Sequence, residues 1–286
     1  MDNSKPAITE KSPMIEPAYG ARIRRFFHWT PDSYRLMSAF LAIIALIMVV
    51  WWPLVEEYAS YFDERYSLWI QIDWLLIGIF LVMSILIMAG ADLSTDFWIV
   101  FVGLCGGLAI EGWGTQTHIW TYYTLERPPL WIIPAWPIAS LSIDRLVRFI
   151  RVVDRGVPQW VYKVLYWLVF PVFYALMIPF VLPTLDKSLT ILALLSCALI
   201  ILSPTDYAFA VQTFLAGSAL GYFLEVWGTT RECWMYYTMQ KPPLFAVLAH
   251  GLAAVAFWRV GLIIKKLLQK SRLRLPLAQT PPGTDD

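Results

Sequence analysis

The sequence predicts an all-α, polytopic membrane helix bundle of about eight transmembrane helices in two parallel four-helix repeats. The first observation behind this prediction is composition: 58% of the 286 residues are hydrophobic and 15% are charged, which is more apolar than an ordinary soluble domain. The second is that the apolar residues form long blocks of about the length that a helix needs to cross a bilayer. The third is that the chain contains an internal repeat.

Eight apolar blocks are candidate membrane spans. We predict spans at 38–55, 68–88, 97–112, 130–150, 161–182, 189–202, 206–226 and 244–264. Grouping them four and four gives a cytoplasmic N-terminal segment at 1–33, a first repeat at 34–151, a second repeat at 152–268 and a disordered C-terminal tail at 269–286.

Lysine and arginine residues cluster on alternate connections, which sets the predicted orientation. The clusters lie before the first span, around the connection between the fourth and fifth spans, and after the eighth. With eight spans, all three clusters are cytoplasmic if both termini are, as we expect for an integral protein of a bacterial inner membrane. The formal net charge of +1 argues against a nucleic-acid partner.

A shift of 114 residues aligns the chain with itself. At that offset, 13 of the 28 positions from 103 to 130 are identical. The shared motif has two glycines and a glutamate at four-residue spacing, then Trp-Gly-Thr, Trp-x-Tyr-Tyr-Thr and Pro-Pro-Leu; it begins at Gly103 in the first copy and at Gly217 in the second. Such identity is not expected by chance. Because each repeat would hold an even number of spans, both copies should enter the membrane in the same orientation.

Each motif copy places one glutamate, Glu111 or Glu225, inside a predicted span. The glycines four and eight residues earlier share the helix face of that glutamate, and glycines at this spacing let helices approach closely in lipid. We therefore expect each glutamate to point into the bundle near the extracytoplasmic end of its helix, and the two to form a facing pair. Gly114 and Gly228 are predicted to end these helices, and the Pro-Pro pairs suit the first turn of the next.

The two glutamates are the candidate catalytic residues. Ionisable groups within a membrane are costly and usually functional, and burial favours the protonated carboxyl group, which is a Brønsted acid. Aromatic rings around such an acid can stabilise a developing cation and bind a flat polyene. The candidate substrate-binding residues are Trp113, Trp120, Tyr122, Tyr123, Trp136, Trp227, Trp234, Tyr236 and Tyr237.

A structural interpretation of the same motif stays open. Trp and Tyr are enriched at membrane interfaces, where they need no chemical role. The glutamates could also pair with basic residues that follow them, namely Arg127, Arg231 or Lys241. Asp92 and Asp206, which align at the 114-residue offset, are expected to cap helix N-termini.

The residue types that bind metals and cofactors lack the necessary spacing. His28, His118 and His250 form no pair typical of a zinc or di-iron site, and we expect hydrogen bonding rather than haem ligation from them. The three cysteines have no disulfide or metal spacing, so we expect them to pack as apolar side chains. We therefore expect no metal and no cofactor.

The first motif copy and the residues after it contain a longer pattern. This is the run Glu111…Gly114…Trp120-x-Tyr122-Tyr123…Ile133-Pro134-Ala135-Trp136. The run resembles the membrane-embedded carotenoid hydratases and, more distantly, the membrane lycopene cyclases and terpenoid cyclases. The resemblance covers roughly residues 103–140, with a weaker echo at 217–253. It implies acid-initiated chemistry on a long isoprenoid, that is, a lyase or an isomerase.

On that resemblance, Glu111 would be the acid that protonates a terminal double bond. Glu225 would be its counterpart, acting as a base or as a second acid for a two-ended substrate. The second copy departs from the pattern, since Leu248 and His250 stand where the first copy has Pro134 and Trp136. This difference puts symmetrical roles in doubt.

Two classes of function are compatible with the sequence. The first is an integral membrane enzyme of isoprenoid or carotenoid metabolism that cyclises or hydrates a terminal alkene in a long polyene. The second is non-enzymatic: a subunit or scaffold of a larger membrane complex, or a small transporter with parallel repeats. The lipid bilayer is a partner in both cases; the enzyme adds a long apolar isoprenoid or polyene ligand, and the subunit adds a membrane-protein partner.

Overall fold

A computed structural model describes residues 28–154 and 156–274. These residues form ten α-helices, one short 3-10 helix (Leu182–Thr184) and two short β-strands. The helices are α1 (Pro31–Val50), α2 (Trp52–Ser60), α3 (Leu68–Gln71), α4 (Trp74–Met88), α5 (Leu93–Gln116), α6 (Ala135–Val153), α7 (Gln159–Val181), α8 (Ser188–Leu202), α9 (Tyr207–Thr230) and α10 (Leu244–Arg274); the strands are β1 (Trp120–Tyr122) and β2 (Trp234–Tyr236). The basic cluster predicted before the first span and tail residues 275–286 lie outside the described residues.

The helices agree with an all-α fold and indicate an integral membrane protein. Among the described residues, five helices are long and apolar enough to cross a membrane: α1, α5, α7, α9 and α10. Helices α4 and α8 are apolar but have 15 residues each. Helix α6 carries Asp144, Arg145, Arg148 and Arg151 in its second half. Each of the eight predicted spans thus contains a helix, while five of these helices meet the length and composition of a span.

Several predicted boundaries differ from the structure because side chains cap or turn the chain. The predicted span 68–88 divides into α3 and α4, since the Asp73 carboxylate caps α4 by accepting from the Leu76 N–H at 3.2 Å. Helix α6 begins at Ala135 instead of residue 130, since turns follow β1. Helix α10 continues to Arg274, past residue 269, where we predict the tail to begin. Asp92 and Asp206 cap α5 and α9, as predicted.

The glycine stripes of α5 and α9 face neighbouring helices at very close range. A methyl group added at Gly107 would overlap the Trp136 side chain of α6, and one added at Gly221 would overlap the His250 side chain of α10. Each glutamate lies on the same face as these glycines, and the exposed fractions of Glu111 and Glu225 are 4% and 3%. The prediction that both glutamates point into the protein is confirmed.

The segments after α5 and α9 pair with each other, which the sequence analysis did not predict. Strands β1 and β2 form an antiparallel two-stranded sheet in which Trp120 lies opposite Tyr236 and Tyr122 lies opposite Trp234. The backbone takes the left-handed conformation at four residues that match in pairs at the 114-residue offset: His118 and Glu232, Leu125 and Met239. Both motif copies therefore follow the same path, and the sheet joins them.

Candidate functional site

Glu111 is held by three hydrogen-bond donors from two other elements. Its Oε2 accepts from the Trp120 indole N–H at 3.0 Å. Its Oε1 accepts from the Tyr122 hydroxyl at 2.9 Å and from the Trp136 indole N–H at 3.1 Å. Trp120 and Tyr122 belong to β1, and Trp136 belongs to α6. The sequence therefore surrounds one buried carboxyl group with aromatic side chains that donate to it.

Glu225 has the same arrangement in the second motif copy, with one substitution. Its Oε2 accepts from the Trp234 indole N–H at 3.0 Å, and its Oε1 accepts from the Tyr236 hydroxyl at 2.8 Å. The third partner is His250, whose Nε2 lies 3.0 Å from Oε1. His250 follows Trp136 by 114 residues, so an imidazole takes the place of an indole.

The glycine and threonine of the Trp-Gly-Thr motif build this arrangement locally. The Trp120 indole packs against Gly114 and the Trp234 indole against Gly228, so closely that a methyl group at either glycine would overlap the ring. The prediction that these glycines end their helices is wrong, because α5 continues to Gln116 and α9 to Thr230. The threonine hydroxyl donates to the carbonyl of the glutamate four residues earlier, at 2.6 Å in both copies. The glycine thus makes room for the returning tryptophan.

The two carboxyl sites are neighbours that share aromatic contacts. Across the sheet, the ring centroids of Trp120 and Tyr236 lie 5.9 Å apart, and those of Tyr122 and Trp234 also lie 5.9 Å apart. Between α6 and α10, the Trp136 and His250 rings stack with centroids 5.6 Å apart and planes inclined by 17°. Each glutamate therefore bonds to rings that contact the other site.

One large apolar cavity has both glutamates in its wall. Its volume is about 1030 Å³, at the upper end of the roughly 300–1,000 Å³ usual for ligand pockets. Side chains of α1, α4, α5, α7, α8 and α10 form most of the wall, and they are mainly Leu, Ile, Ala, Met and Phe. The wall is therefore apolar apart from a few polar groups, among them the two carboxyl groups.

The structure brings seven of the nine predicted substrate-binding residues to this cavity. They are Trp113, Trp120, Tyr122, Trp136, Trp227, Trp234 and Tyr236. Tyr123 and Tyr237 are not in the wall, and both are exposed. Each follows the last residue of its strand, and successive side chains on an extended chain point in opposite directions. The Tyr237 hydroxyl instead donates to the Phe180 carbonyl at 2.7 Å.

Trp113 and Trp227 line the cavity, but their indole N–H groups bond elsewhere. Trp113 donates to the Thr190 hydroxyl at 3.2 Å, at the start of α8. Trp227 donates to the Asp73 carboxylate at 2.9 Å, at the start of α4. Each tryptophan therefore contacts a helix of the other predicted repeat. Asp73 was missed as a partner, because it lies inside the predicted span 68–88 and no local pattern links it to a residue 154 positions later.

The basic residues that could have neutralised the glutamates pair with other groups. Arg127 lies 3.1 Å from His118 Nε2, Arg231 donates to Asp73 at 2.9 Å and Lys241 donates to Glu232 at 2.6 Å. Within the described residues, no salt bridge from Lys or Arg reaches either glutamate. The alternative that these basic residues balance the two carboxyl groups is therefore wrong for this structure.

The site thus consists of two buried carboxyl groups with aromatic donors on the wall of one apolar cavity. In the part of the chain that the structure describes, no group of three or more His, Cys, Asp or Glu side chains could hold a metal ion. Comparisons of the chain with protein-family models, with curated proteins and with solved structures give no match.

Proposed function

We propose that this protein is an integral membrane enzyme of isoprenoid or carotenoid metabolism, which hydrates or cyclises a terminal alkene of a long polyene bound in the cavity. The observation that carries the proposal is the position of Glu111 and Glu225 in the wall of one large apolar cavity. Ionisable groups in an otherwise apolar membrane interior are costly, and their presence favours a chemical role.

The cavity supports the proposed substrate class. Burial of apolar surface contributes roughly 25 cal/mol per Å², so a long hydrocarbon gains more from this cavity than a small polar metabolite does. The side chains of Trp113 and Trp227 line the cavity, and indole rings have electron-rich faces. Such faces attract a cation, which is the species that forms when an alkene is protonated.

The proposed reaction needs a proton, and no oxidant or reductant. A protonated carboxyl group transfers its proton to the terminal alkene carbon, which leaves a carboxylate and a tertiary carbocation. In hydration, water adds to the cation and the resulting oxonium ion returns a proton to the carboxylate, which gives a tertiary alcohol. In cyclisation, a second double bond of the same polyene attacks the cation, and the ring carbon next to the new cation loses a proton to the carboxylate.

We further propose that all eight predicted spans lie within the membrane, as two parallel repeats with both termini cytoplasmic in a bacterial inner membrane. The 15-residue helices α4 and α8 would cover about 22 Å at 1.5 Å per residue, which leaves part of the bilayer to the polar ends of each segment. The arginines in the second half of α6 support a cytoplasmic position for that end.

A second candidate is a non-enzymatic role as a subunit of a larger membrane complex or as a transporter. The observation that favours it is that both oxygens of each glutamate already have hydrogen-bond partners inside the protein. A network of this kind can fix the position of two helices without any chemistry.

Gene deletion and complementation test the proposal. We expect deletion in the native host to change the profile of extractable isoprenoids, and wild-type protein to restore it. Glu111→Gln and Glu225→Gln should each fail to restore the product, because an amide cannot supply the transferred proton and its nitrogen cannot accept the hydrogen bonds that both carboxyl groups accept. Liquid chromatography with mass spectrometry of apolar extracts measures the result, and immunoblotting confirms that each variant is in the membrane.

Tyr123→Phe is the matched control, since this exposed residue adjoins the motif and does not line the cavity. It should restore the product fully. An isoprenoid profile that deletion leaves unchanged would favour the subunit or transporter, and so would full restoration by either glutamine variant.

A further inference from the structure

The two carboxyl sites differ at a single partner, and the difference concerns where a proton can reside. Glu111 bonds to Trp136, whereas Glu225 bonds to His250 at the equivalent position. All other partners match: one tryptophan and one tyrosine from the strand that follows the helix. Because the two sites differ at this one partner, the two glutamates can have different chemical roles.

The hydrogen-bond partners of Glu111 are donors, so the Glu111 carboxyl group acts as the acceptor. Indole N–H groups can donate but cannot accept, and two of the three partners of Glu111, Trp120 and Trp136, are indoles. One of these donors reaches each carboxyl oxygen, and the Tyr122 hydroxyl gives a third bond. The Glu111 carboxyl group accepts all three bonds, and neither indole can take a proton from it.

The partners of Glu225 include a group that can exchange a proton. An imidazole nitrogen donates when it carries hydrogen and accepts when it does not. The 3.0 Å contact between Glu225 Oε1 and His250 Nε2 therefore persists with the proton on either atom. One proton can move between carboxyl group and imidazole without loss of the hydrogen bond.

Few other titratable groups face this pair. Tyr236 on β2 donates to Glu225 directly, and Tyr122 donates to Glu111. Glu111 also bonds to the Trp136 ring that stacks on His250. Helix α7 contributes Phe173 and Met177 to the cavity wall, neither of which titrates. The remaining titratable side chains of the wall are two cysteines, Cys105 on α5 and Cys197 on α8.

We infer that Glu225 and His250 form the proton-exchanging pair of this cavity, while Glu111, whose indole partners cannot accept a proton, does not exchange one. As an assignment of chemical roles, this rests on the proposed function: Glu225 donates the proton to the alkene and recovers one through His250, and Glu111 transfers no proton. The order is the reverse of that implied by the resemblance to the hydratases, which makes Glu111 the acid. His250 is a positioning and proton-relay residue that acts through Glu225.

Nuclear magnetic resonance of the purified protein in lipid nanodiscs tests the inference without any substrate. Labelling with ¹⁵N-histidine and ¹³C-glutamate allows a pH titration of the ring nitrogens and of the carboxyl carbons. The chain has three histidines, and His250→Gln and Glu225→Gln assign the two signals of the pair. We expect the His250 nitrogens and the Glu225 carboxyl carbon to change at one shared pH, because interacting groups titrate as a pair. The Glu111 carbon should not change over that range.

Two further variants exchange the third partner of each glutamate and so test the difference between the two sites. His250→Trp gives Glu225 the partners of Glu111, so its carboxyl signal should lose the shared titration; Trp136→His should create one at Glu111. A His250 signal that titrates while Glu225 stays constant would overturn the inference, as would a Glu111 carbon that titrates with them. Because this readout needs no product, the two proposals can fail separately. A shared titration together with an unchanged isoprenoid profile would refute the proposed enzyme and support the Glu225–His250 pair. Loss of product without a shared titration would support the enzyme and overturn the pair.

Discussion

Replacing Arg145 with methionine is expected to lower the free energy of unfolding by about 3–5 kcal/mol, the cost of leaving a buried charge without its partner. The side chain of Arg145 is 2% exposed, and its Nη2 lies 2.6 Å from Oδ2 of Asp96, which is 1% exposed. A second carboxylate, from Asp144, lies 2.6 Å from Nη1. Methionine fills similar space but leaves Asp96 charged in an apolar interior. The pair joins α5 to α6, the two helices that hold Glu111 and Trp136.

Unfolding in mixed detergent micelles, followed by tryptophan fluorescence, measures this effect. The control is Arg148→Met three residues later, because Arg148 also bonds Asp144 but is 48% exposed, and exposed pairs contribute about 0–1 kcal/mol. The double variant Asp96→Leu with Arg145→Met removes both charges and should recover much of the loss. Equal destabilisation by Arg145→Met and Arg148→Met would contradict this account of the buried pair.

Adding one methyl group at Gly114 should be as disruptive as removing a core side chain. In Gly114→Ala the new carbon overlaps the buried Trp120 indole, so the ring must leave its position. Overpacking of this kind costs about 1–3 kcal/mol, and the displaced indole also loses its hydrogen bond to Glu111, worth about 0.5–1.5 kcal/mol. Gly228→Ala should act likewise through Trp234.

Thermal unfolding monitored by size-exclusion chromatography compares these variants with Gly78→Ala. A methyl group at Gly78 meets no atom within 4 Å, so this change in the middle of α4 should be neutral or stabilising, since alanine favours helix over glycine. If Gly114→Ala unfolds at the same temperature as Gly78→Ala, the close approach of Trp120 to α5 does not exist in the protein.

Helices and buried faces followed from local pattern, whereas some boundaries did not. Apolar blocks and four-residue spacing act within a single segment, so the burial of Glu111 and its glycines could be predicted. The break at Asp73 depends on one side chain that caps a helix, which a hydrophobicity pattern does not show. Gly114 lies inside α5 and not at its end, and the Trp120 indole packs against it, a long-range contact that the local pattern does not show.

The residue types of the site could be predicted from the sequence. Which of these side chains contact the glutamates could be predicted only in part. Both tyrosines of the Tyr-Tyr pair match between the copies, yet Tyr122 bonds Glu111 and Tyr123 is exposed. Alternation along a strand separates them, and neither strand was predicted because a three-residue strand leaves no periodic signal. The alignment at 114 residues had placed His250 on Trp136, and this difference was interpreted as a departure from symmetry. The structure shows that the imidazole keeps the same contact.

The central claim is that both glutamates serve one cavity that holds a long isoprenoid, and identification of the copurified lipid tests it most directly. Wild-type protein and the cavity-filling variant Ala109→Trp, whose side chain would enter the cavity from α5, are purified in mild detergent and their apolar lipids analysed by mass spectrometry. We expect an isoprenoid or polyene in about equimolar amount with the wild-type chain and little in Ala109→Trp. The same phospholipid mixture from both proteins, with no enriched isoprenoid, would contradict the claim.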